Sequence, residues 1–300
     1  MPTVTGAAPI AVVGLKGQVA RALVRVAERR GIALVAGGRP EVDVCDARSL
    51  AGFLDRLKPR LVVNASAYTA VDKAESEPEA AFRVNAEGPA RLAHICAAAG
   101  LPLIHLSTDY VFGGAGGTPL SECDPIRPAG VYAASKAAGE AAIRDSLERH
   151  LILRTSWVYD ESGQNFLRTM LRLAATRDEI GVVDDQRGSP TYAGDLAGAV
   201  LDIATLPPAV LERGWGTYHV TNAGETTWAG FAREIFARAG ALGLKTARVK
   251  PIATAEYPTP AARPAYSVLD NGKVARVFGV RLPPWQDALG RCLAGLDPIG

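Results

Sequence analysis

Tyr132 and Lys136 stand four residues apart in "VYAASKAAGE" (131–140), a stretch otherwise built mostly of alanine. Positions i and i+4 of an α-helix lie one above the other, so a helix here would present a phenol and an amine to the same space. Ala, Lys and Glu favour that helix. The pairing suits the reduction of a ketone, in which negative charge develops on oxygen as hydride arrives at carbon and a proton donor must be within reach. Tyr132 would be the donor. A phenol has an ordinary pKa of about 10, and a neighbouring ammonium lowers it by stabilising the phenolate. Lys136 would supply that charge and hold the ribose of a nicotinamide cofactor. Thr108, 24 residues earlier in "LIHLSTDYVF", adds a hydroxyl that can donate to the same carbonyl. The plain alternative is an amphipathic helix whose Tyr packs and whose Lys is solvated.

These three residues work together only if a scaffold brings them to one edge. Short β-branched runs alternate with alanine-rich segments of helical period: "PIAVVG", a helix through Arg30, "IALVAG", "RLVVNAS", a helix "EAAFRVNAEGPARLAHICAAAG", then "LPLIHLST" and "LILRTSWVY". That alternation predicts βαβ units and a parallel sheet, its strands nearly unbroken apolar runs because helices cover both faces. Thr108 then falls at the carboxyl edge, where open α/β sheets bind ligands. The expected fold class is α/β, a Rossmann-type doubly wound parallel sheet with a smaller α/β substrate-binding domain. We assign 1–160 to the nucleotide-binding domain and 161–300 mainly to the smaller one. Pro-rich joints mark the latter at "TLPPAV", "EYPTPAARP" and "RLPPW", and a helix and strand near 191–222 look able to return to the main sheet, making the boundary discontinuous.

The first strand runs into "VVGLKGQVARAL". Gly14 and Gly17 there would let the backbone turn tightly against a pyrophosphate, whose charge the helix N-terminus meets. After the second strand, in "GGRPEVDVCD", the first charged residue is Arg39, where NAD enzymes usually present a carboxylate to the ribose. A guanidinium at that point would pair with a 2′-phosphate, with Lys16 as a second positive charge. Asp43 would cap the adenine amine. The expected cofactor is NADPH, with NADH left open.

Composition excludes other classes. The chain has 300 residues, 33 basic against 31 acidic, and no basic stripe interleaved with aromatics, so nucleic acid is not an expected partner. No run approaches the roughly 18 apolar residues that cross a bilayer, and the first residues lack a basic leader, so neither membrane insertion nor export is expected. Cys45, Cys96, Cys123 and Cys292 have neither CxxC spacing nor a His cluster, which argues against zinc and disulfides and fits a cytoplasmic protein.

The stretches "GLKGQVA", "VVNASAYTAVDKAESEP", "VNAEGPARLA", "STDYVF", "YAASK", "LRTSWVY", "GQNF", "QRGSPTYAGDLA" and "RPAYSVLD" occur in this order through nearly the whole chain. With them the sequence resembles the extended short-chain dehydrogenase/reductase family, within it the sugar-nucleotide reductases. The resemblance implies Thr108, Tyr132 and Lys136 as the catalytic set. It places Gly14, Lys16, Gly17, Gln18, Val19, Arg39, Asp43, Val44, Ala65 and Ala67, together with Tyr132 and Lys136, around the cofactor. Val71, Thr108, Tyr110, Trp157 and Asn165 match positions lining the sugar-nucleotide side. The implied substrate is a dTDP-sugar, dTDP-4-dehydro-β-L-rhamnose, reduced at its 4-keto group to dTDP-L-rhamnose for cell-surface polysaccharide such as O-antigen. A homodimer is left open. Some relatives hold Mg²⁺ through carboxylates in the C-terminal half; no set matches here, and no metal is expected. Dehydratases of the group carry Asp–Glu after the catalytic Thr, whereas this chain has Asp109 and Tyr110. An epimerase and a non-catalytic nucleotide-binding subunit remain the alternatives. Lys73 and Glu75 are read as a solvated face.

Overall fold

The computed structural model describes residues 8–114 and 116–296; the two ends of the domain assignment, 1–7 and 297–300, lie outside the described residues. Six parallel strands make the central sheet: β1 (Ile10–Val13), β2 (Leu34–Gly37), β3 (Leu61–Asn64), β4 (Leu103–Thr108), β5 (His150–Thr155) and β6 (Gly216–His219), in the order β6-β5-β4-β3-β1-β2. From β1 the chain runs outward to β2 and then crosses back to β3 on the other side of β1, and ligands of doubly wound sheets enter at such a switch point. Ile10, Ala11, Val12 and Val13 are all buried because both faces are covered. On one face α1 (Gln18–Arg30) packs with the helix Ala193–Ala204; on the other the helices Ala47–Leu57 and Gly88–Ala99 close the core.

A separate apolar core gathers Tyr159, Leu167, Phe231, Ile235, Trp285 and Leu289 beside the sheet's carboxyl edge. Its short strands Glu179–Val183 and Arg248–Ile252 pair in parallel. No helix among the described residues is long and apolar enough to cross a membrane, and all four cysteines are free.

Two elements differ from the sequence expectation. "LILRTSWVY" is two strands, since β5 ends at Thr155 and Val158–Tyr159 pairs instead with Thr191–Tyr192. Between them Trp157 takes φ 46°, a conformation that a bulky residue adopts only under tertiary constraint. The helix expected over "EAAFRVNAEGPARLAHICAAAG" is broken into Pro78–Phe82 and Gly88–Ala99 by a π-turn at Arg83–Glu87. The turn delivers Asn85, fully buried, whose amide accepts from the Tyr68 N–H at 2.8 Å and donates to the Tyr68 carbonyl and to Ser135 Oγ, each at 3.0 Å. Two polar side-chain atoms satisfied so far from their own backbone explain why the helix yields there.

Candidate active site

The helix carrying Tyr132 and Lys136, Val131–Ser146, starts after Gly130, whose φ of 83° sets the chain into it. Gly130 offers no side chain to cap the first turn; Glu75 does so from a distant loop, its Oε1 accepting the Val131 N–H at 2.8 Å. A carboxylate there also meets the positive end of the helix. Glu75 is therefore no mere solvated residue. Lys73 does face outward, in an exposed pair with Glu77 at 2.8 Å. Gly139 lets the helix approach the π-turn closely, because a Cβ would fall 2.1 Å from the Asn85 carbonyl oxygen.

Thr108 ends β4 and lies across the pairing from Thr155 of β5, with the helix alongside. Its hydroxyl donates to Asp109 Oδ1 at 2.9 Å and accepts the Tyr110 N–H at 3.2 Å, closing a 3-10 turn over Asp109–Phe112. That turn sets the Tyr110 ring edge-on to Tyr132, centroids 5.6 Å apart. Burial raises the Asp109 carboxyl to about 6, against the hydrogen bonds from Ser267 and Thr108 that lower it. Tyr132, on the wall of the cleft, is pushed up to about 12 by burial, with the Thr108 hydroxyl opposing the rise and the Asp109 charge adding to it. Lys136 is buried and lowered to about 8, desolvation outweighing the Glu140 carboxylate. The expectation that Lys136 brings the phenol below its ordinary value does not describe this arrangement. The Lys136 amine donates instead to the Leu106 carbonyl at 2.7 Å and lies 3.2 Å from His105 Nε2.

One turn beyond Lys136, Glu140 sits fully buried beneath the site. Burial alone would raise its carboxyl, but Arg154 binds it through two nitrogens at 2.9 and 2.7 Å and Ser107 donates at 2.6 Å, so it is held below the usual range. The pair ties the helix to β4 and β5.

Thr108, Tyr132 and Lys136 open into one cleft of about 700 Å³ between the sheet edge and the smaller core. Its walls also include Lys16, Gly17, Gln18, Val19, Ala65, Ala67, Val71, Tyr110, Trp157 and Asn165. Gly14, Arg39, Asp43 and Val44 lie outside it. Gly14 shapes the cleft from behind, with φ 122° and the Ala65 backbone 3.0 Å from where a Cβ would be. Val44 is a core residue packed on Gly88, which leaves a ligand only its backbone. Asp43 turns Oδ1 onto the Cys45 N–H at 2.9 Å. Arg39 is exposed just past β2 and forms no ion pair among the described residues.

The loop before α1 fits a dinucleotide phosphate. Gly17 precedes the helix without a side-chain cap, and no acidic residue occupies the first turn, so the positive helix end faces the cleft uncompensated. Asn165 is more constrained than a ligand-seeking amide. Its Oδ1 caps the helix Phe166–Ala174 by accepting the Arg168 N–H at 3.0 Å, and its Nδ2 donates to Gln18 Oε1 at 2.9 Å and to the Asp160 carbonyl at 2.8 Å. It joins the phosphate loop to the smaller core. Trp157 stacks flat on Trp228, centroids 3.5 Å apart, giving the cleft a wall of two indoles. Trp228, Asn85, His105 and Glu140 were not singled out from sequence, and Glu75 was read only as part of a solvated face; the i+4 spacing of Lys136 and Glu140 is a signal that could have pointed to the buried support.

The chain matches the family described as RmlD substrate binding domain over residues 8–297. It is 44% identical over 291 residues to a dTDP-4-dehydrorhamnose reductase of Sinorhizobium fredii, covering 96% of this chain and 97% of that protein. Among solved structures it resembles a dTDP-4-dehydrorhamnose reductase of Clostridium acetobutylicum, with a TM-score of 0.88 and 34% identity, over 95% of this chain and 98% of that one. A dTDP-4-dehydrorhamnose reductase of Bacillus anthracis in complex with NADP is similar at a TM-score of 0.88 and 31% identity, over 96% and 99% of the two chains.

Proposed function

The chain belongs to the RmlD substrate binding domain family, and from that premise we propose that it is an oxidoreductase that reduces the 4-keto group of dTDP-4-dehydro-β-L-rhamnose with NADPH, giving dTDP-L-rhamnose. The observation that carries this reading is the convergence of Thr108, Tyr132 and Lys136 on one cleft at the carboxyl edge of the sheet, beside an uncapped helix N-terminus. NADPH, when bound, supplies the hydride. Gly14 and Gly17 let the backbone approach its diphosphate, the N-terminus of α1 meets the charge, and Arg39 and Lys16 are the cations for the 2′-phosphate. Tyr132 gives its phenolic proton to the developing alkoxide at carbon 4. Thr108 donates to the same oxygen, which requires its hydroxyl to turn from Asp109. Lys136 binds ribose hydroxyls and, as an ammonium, stabilises the phenolate left behind. Val71, Tyr110 and Trp157 offer an apolar, aromatic wall to the 6-deoxy sugar.

The segments 161–190 and 223–300 are the proposed substrate lobe, a division supported by the separate apolar core of Leu167, Phe231 and Leu289, while Val274, Phe278 and Val280 return to the core of the main sheet. Four free thiols support a cytoplasmic setting. The test is to generate the 4-keto-L-sugar in situ, add the protein with NADPH, and follow both the loss of absorbance and the product. dTDP-L-rhamnose is expected. No product where a known reductase succeeds rejects the assignment, and a carbon-4 epimer names a different sugar while leaving the reductase chemistry.

A further inference from the structure

A buried hydrogen-bond chain behind Lys136 has a direction that can be read atom by atom. The Ser66 N–H lies 3.1 Å from Asn64 Oδ1, and the Ser66 hydroxyl donates to the same oxygen at 2.6 Å. A backbone N–H can only donate, so this end of the Asn64 amide is oxygen and the other end is nitrogen. That nitrogen lies 3.1 Å from His105 Nδ1. Nδ1 must then be the unprotonated ring nitrogen, because an N–H there would oppose the amide N–H. A neutral imidazole with a bare Nδ1 carries its proton on Nε2. Nε2 lies 3.2 Å from Lys136 Nζ, and this hydrogen bond forms only if Nζ presents a lone pair. An amine has one; an ammonium has none.

We propose that His105 is a positioning residue for Lys136: with its tautomer fixed by Asn64, it donates through Nε2–H and favours the uncharged amine over the ammonium, holding Nζ against the Leu106 carbonyl. Neither Asn64 nor His105 lines the cleft, and both are fully buried, so the ring acts through Lys136 and not on a ligand. Burial, the first cause, keeps His105 well below its ordinary range, which excludes the imidazolium whether or not Lys136 is charged. The other groups on the elements packed round Lys136 do not supply the same selection. Glu140 favours the ammonium, and its charge is already paired with Arg154 of β5 and Arg144. Tyr132, on the same helix, and Tyr110 are un-ionised at neutral pH, and Asp109, which is raised to about 6, accepts from Thr108. Glu79, Arg83, Glu87 and His94, on the helical segment packed behind, are exposed. The consequence is that the ring opposes the ammonium that turnover requires of Lys136.

The inference rests on the reductase reading only for its bearing on turnover; the protonation states can be measured on the protein without nucleotide, so the two ideas fail separately. Imidazole ¹⁵N shifts should show His105 with a bare Nδ1. Asn64→Asp places an acceptor against Nδ1, which inverts the tautomer and turns a lone pair toward Lys136. In ¹³Cε-lysine-labelled protein the Lys136 titration midpoint should then rise by about one pH unit or more, a tenfold change in proton affinity. The added carboxylate would raise it through space as well, so the same change is made in a His105→Phe background. There most of the rise should vanish if the ring transmits it. His105→Gln, which can accept from Asn64 and donate to Lys136, should keep both the midpoint and the pH profile of kcat/KM close to the unmutated protein. A protonated Nδ1 in the unmutated protein, or an equal shift with and without the ring, overturns the proposal.

Discussion

At the scale of single residues, Tyr132 is the group on which the proposed proton transfer would depend. Tyr132→Phe keeps the ring packed edge-on to Tyr110 while removing the only phenolic proton assigned to the substrate oxygen. Turnover should fall by about 10²–10⁴-fold, the usual contribution of a positioned acid, with NADPH affinity nearly unchanged. Stopped-flow binding beside steady-state rates checks this, and an unaltered kcat would remove Tyr132 from the mechanism. Arg39 decides a different question. It is exposed and has no competing carboxylate among the described residues, so its guanidinium is available to a 2′-phosphate. A charge-assisted hydrogen bond contributes about 1.5–3 kcal/mol, so Arg39→Ala should weaken NADPH by about one to two decades and leave NADH nearly as before. Titration with both cofactors reads the difference directly, and equal losses would place the discrimination elsewhere.

At the scale of elements, the helix Val131–Ser146 is held in three ways, none of which is visible in its own hydrophobic pattern. Glu75 accepts the first N–H, Gly139 permits the close crossing with the π-turn, and Glu140 anchors the far side to Arg154. Glu75→Ala leaves the Val131 N–H without its partner, at a cost of about 0.5–2 kcal/mol by analogy with lost helix caps. Because Tyr132 is the next residue, kcat/KM should fall along with the melting temperature. Glu75→Gln preserves the accepting oxygen and should recover most of both. If Gln behaves like Ala, the charge at the helix end matters more than the hydrogen bond.

For the molecule as a whole, the Glu140–Arg154 pair links the sheet to the helix that bears Tyr132 and Lys136, and it is fully buried. Glu140→Gln leaves the Arg154 charge without its partner, and breaking a buried pair from one side costs about 3–5 kcal/mol. Chemical denaturation should show that loss at neutral pH. The acid dependence follows from the same carboxyl, whose pKa is lowered in the folded protein. The unfolded chain binds its proton first as pH falls, so this contribution is fully present above the ordinary carboxylate pKa near 4.5 and is lost as pH drops through the lower folded value. The unmutated protein should therefore lose stability more steeply below pH 4.5 than Glu140→Gln. Parallel curves would show that other carboxylates govern acid unfolding.

The sequence by itself determined the fold class and the chemistry on offer. Unbroken apolar runs such as "IAVV" and "LVVN" require cover on both faces, and helices between parallel strands are the arrangement that supplies it. The spacing of Tyr132 and Lys136 puts them on one helical face because the helix repeats every 3.6 residues, whatever the rest of the chain does. What spacing cannot contain is the identity of partners far away in the chain. Glu75 caps a helix 56 residues on, Asn85 breaks its own helix to serve Tyr68 and Ser135, and Trp157 leaves its strand to lie on Trp228, 71 residues later. In each case a polar group or a ring satisfied by a distant partner outweighs a local preference worth less than about 1 kcal/mol per residue. The protonation of Lys136 belongs to the same class. Sequence supplies an amine and a phenol one turn apart, but the direction of the Ser66, Asn64 and His105 hydrogen bonds exists only once three segments of chain have been brought together, out of water, behind the sheet edge.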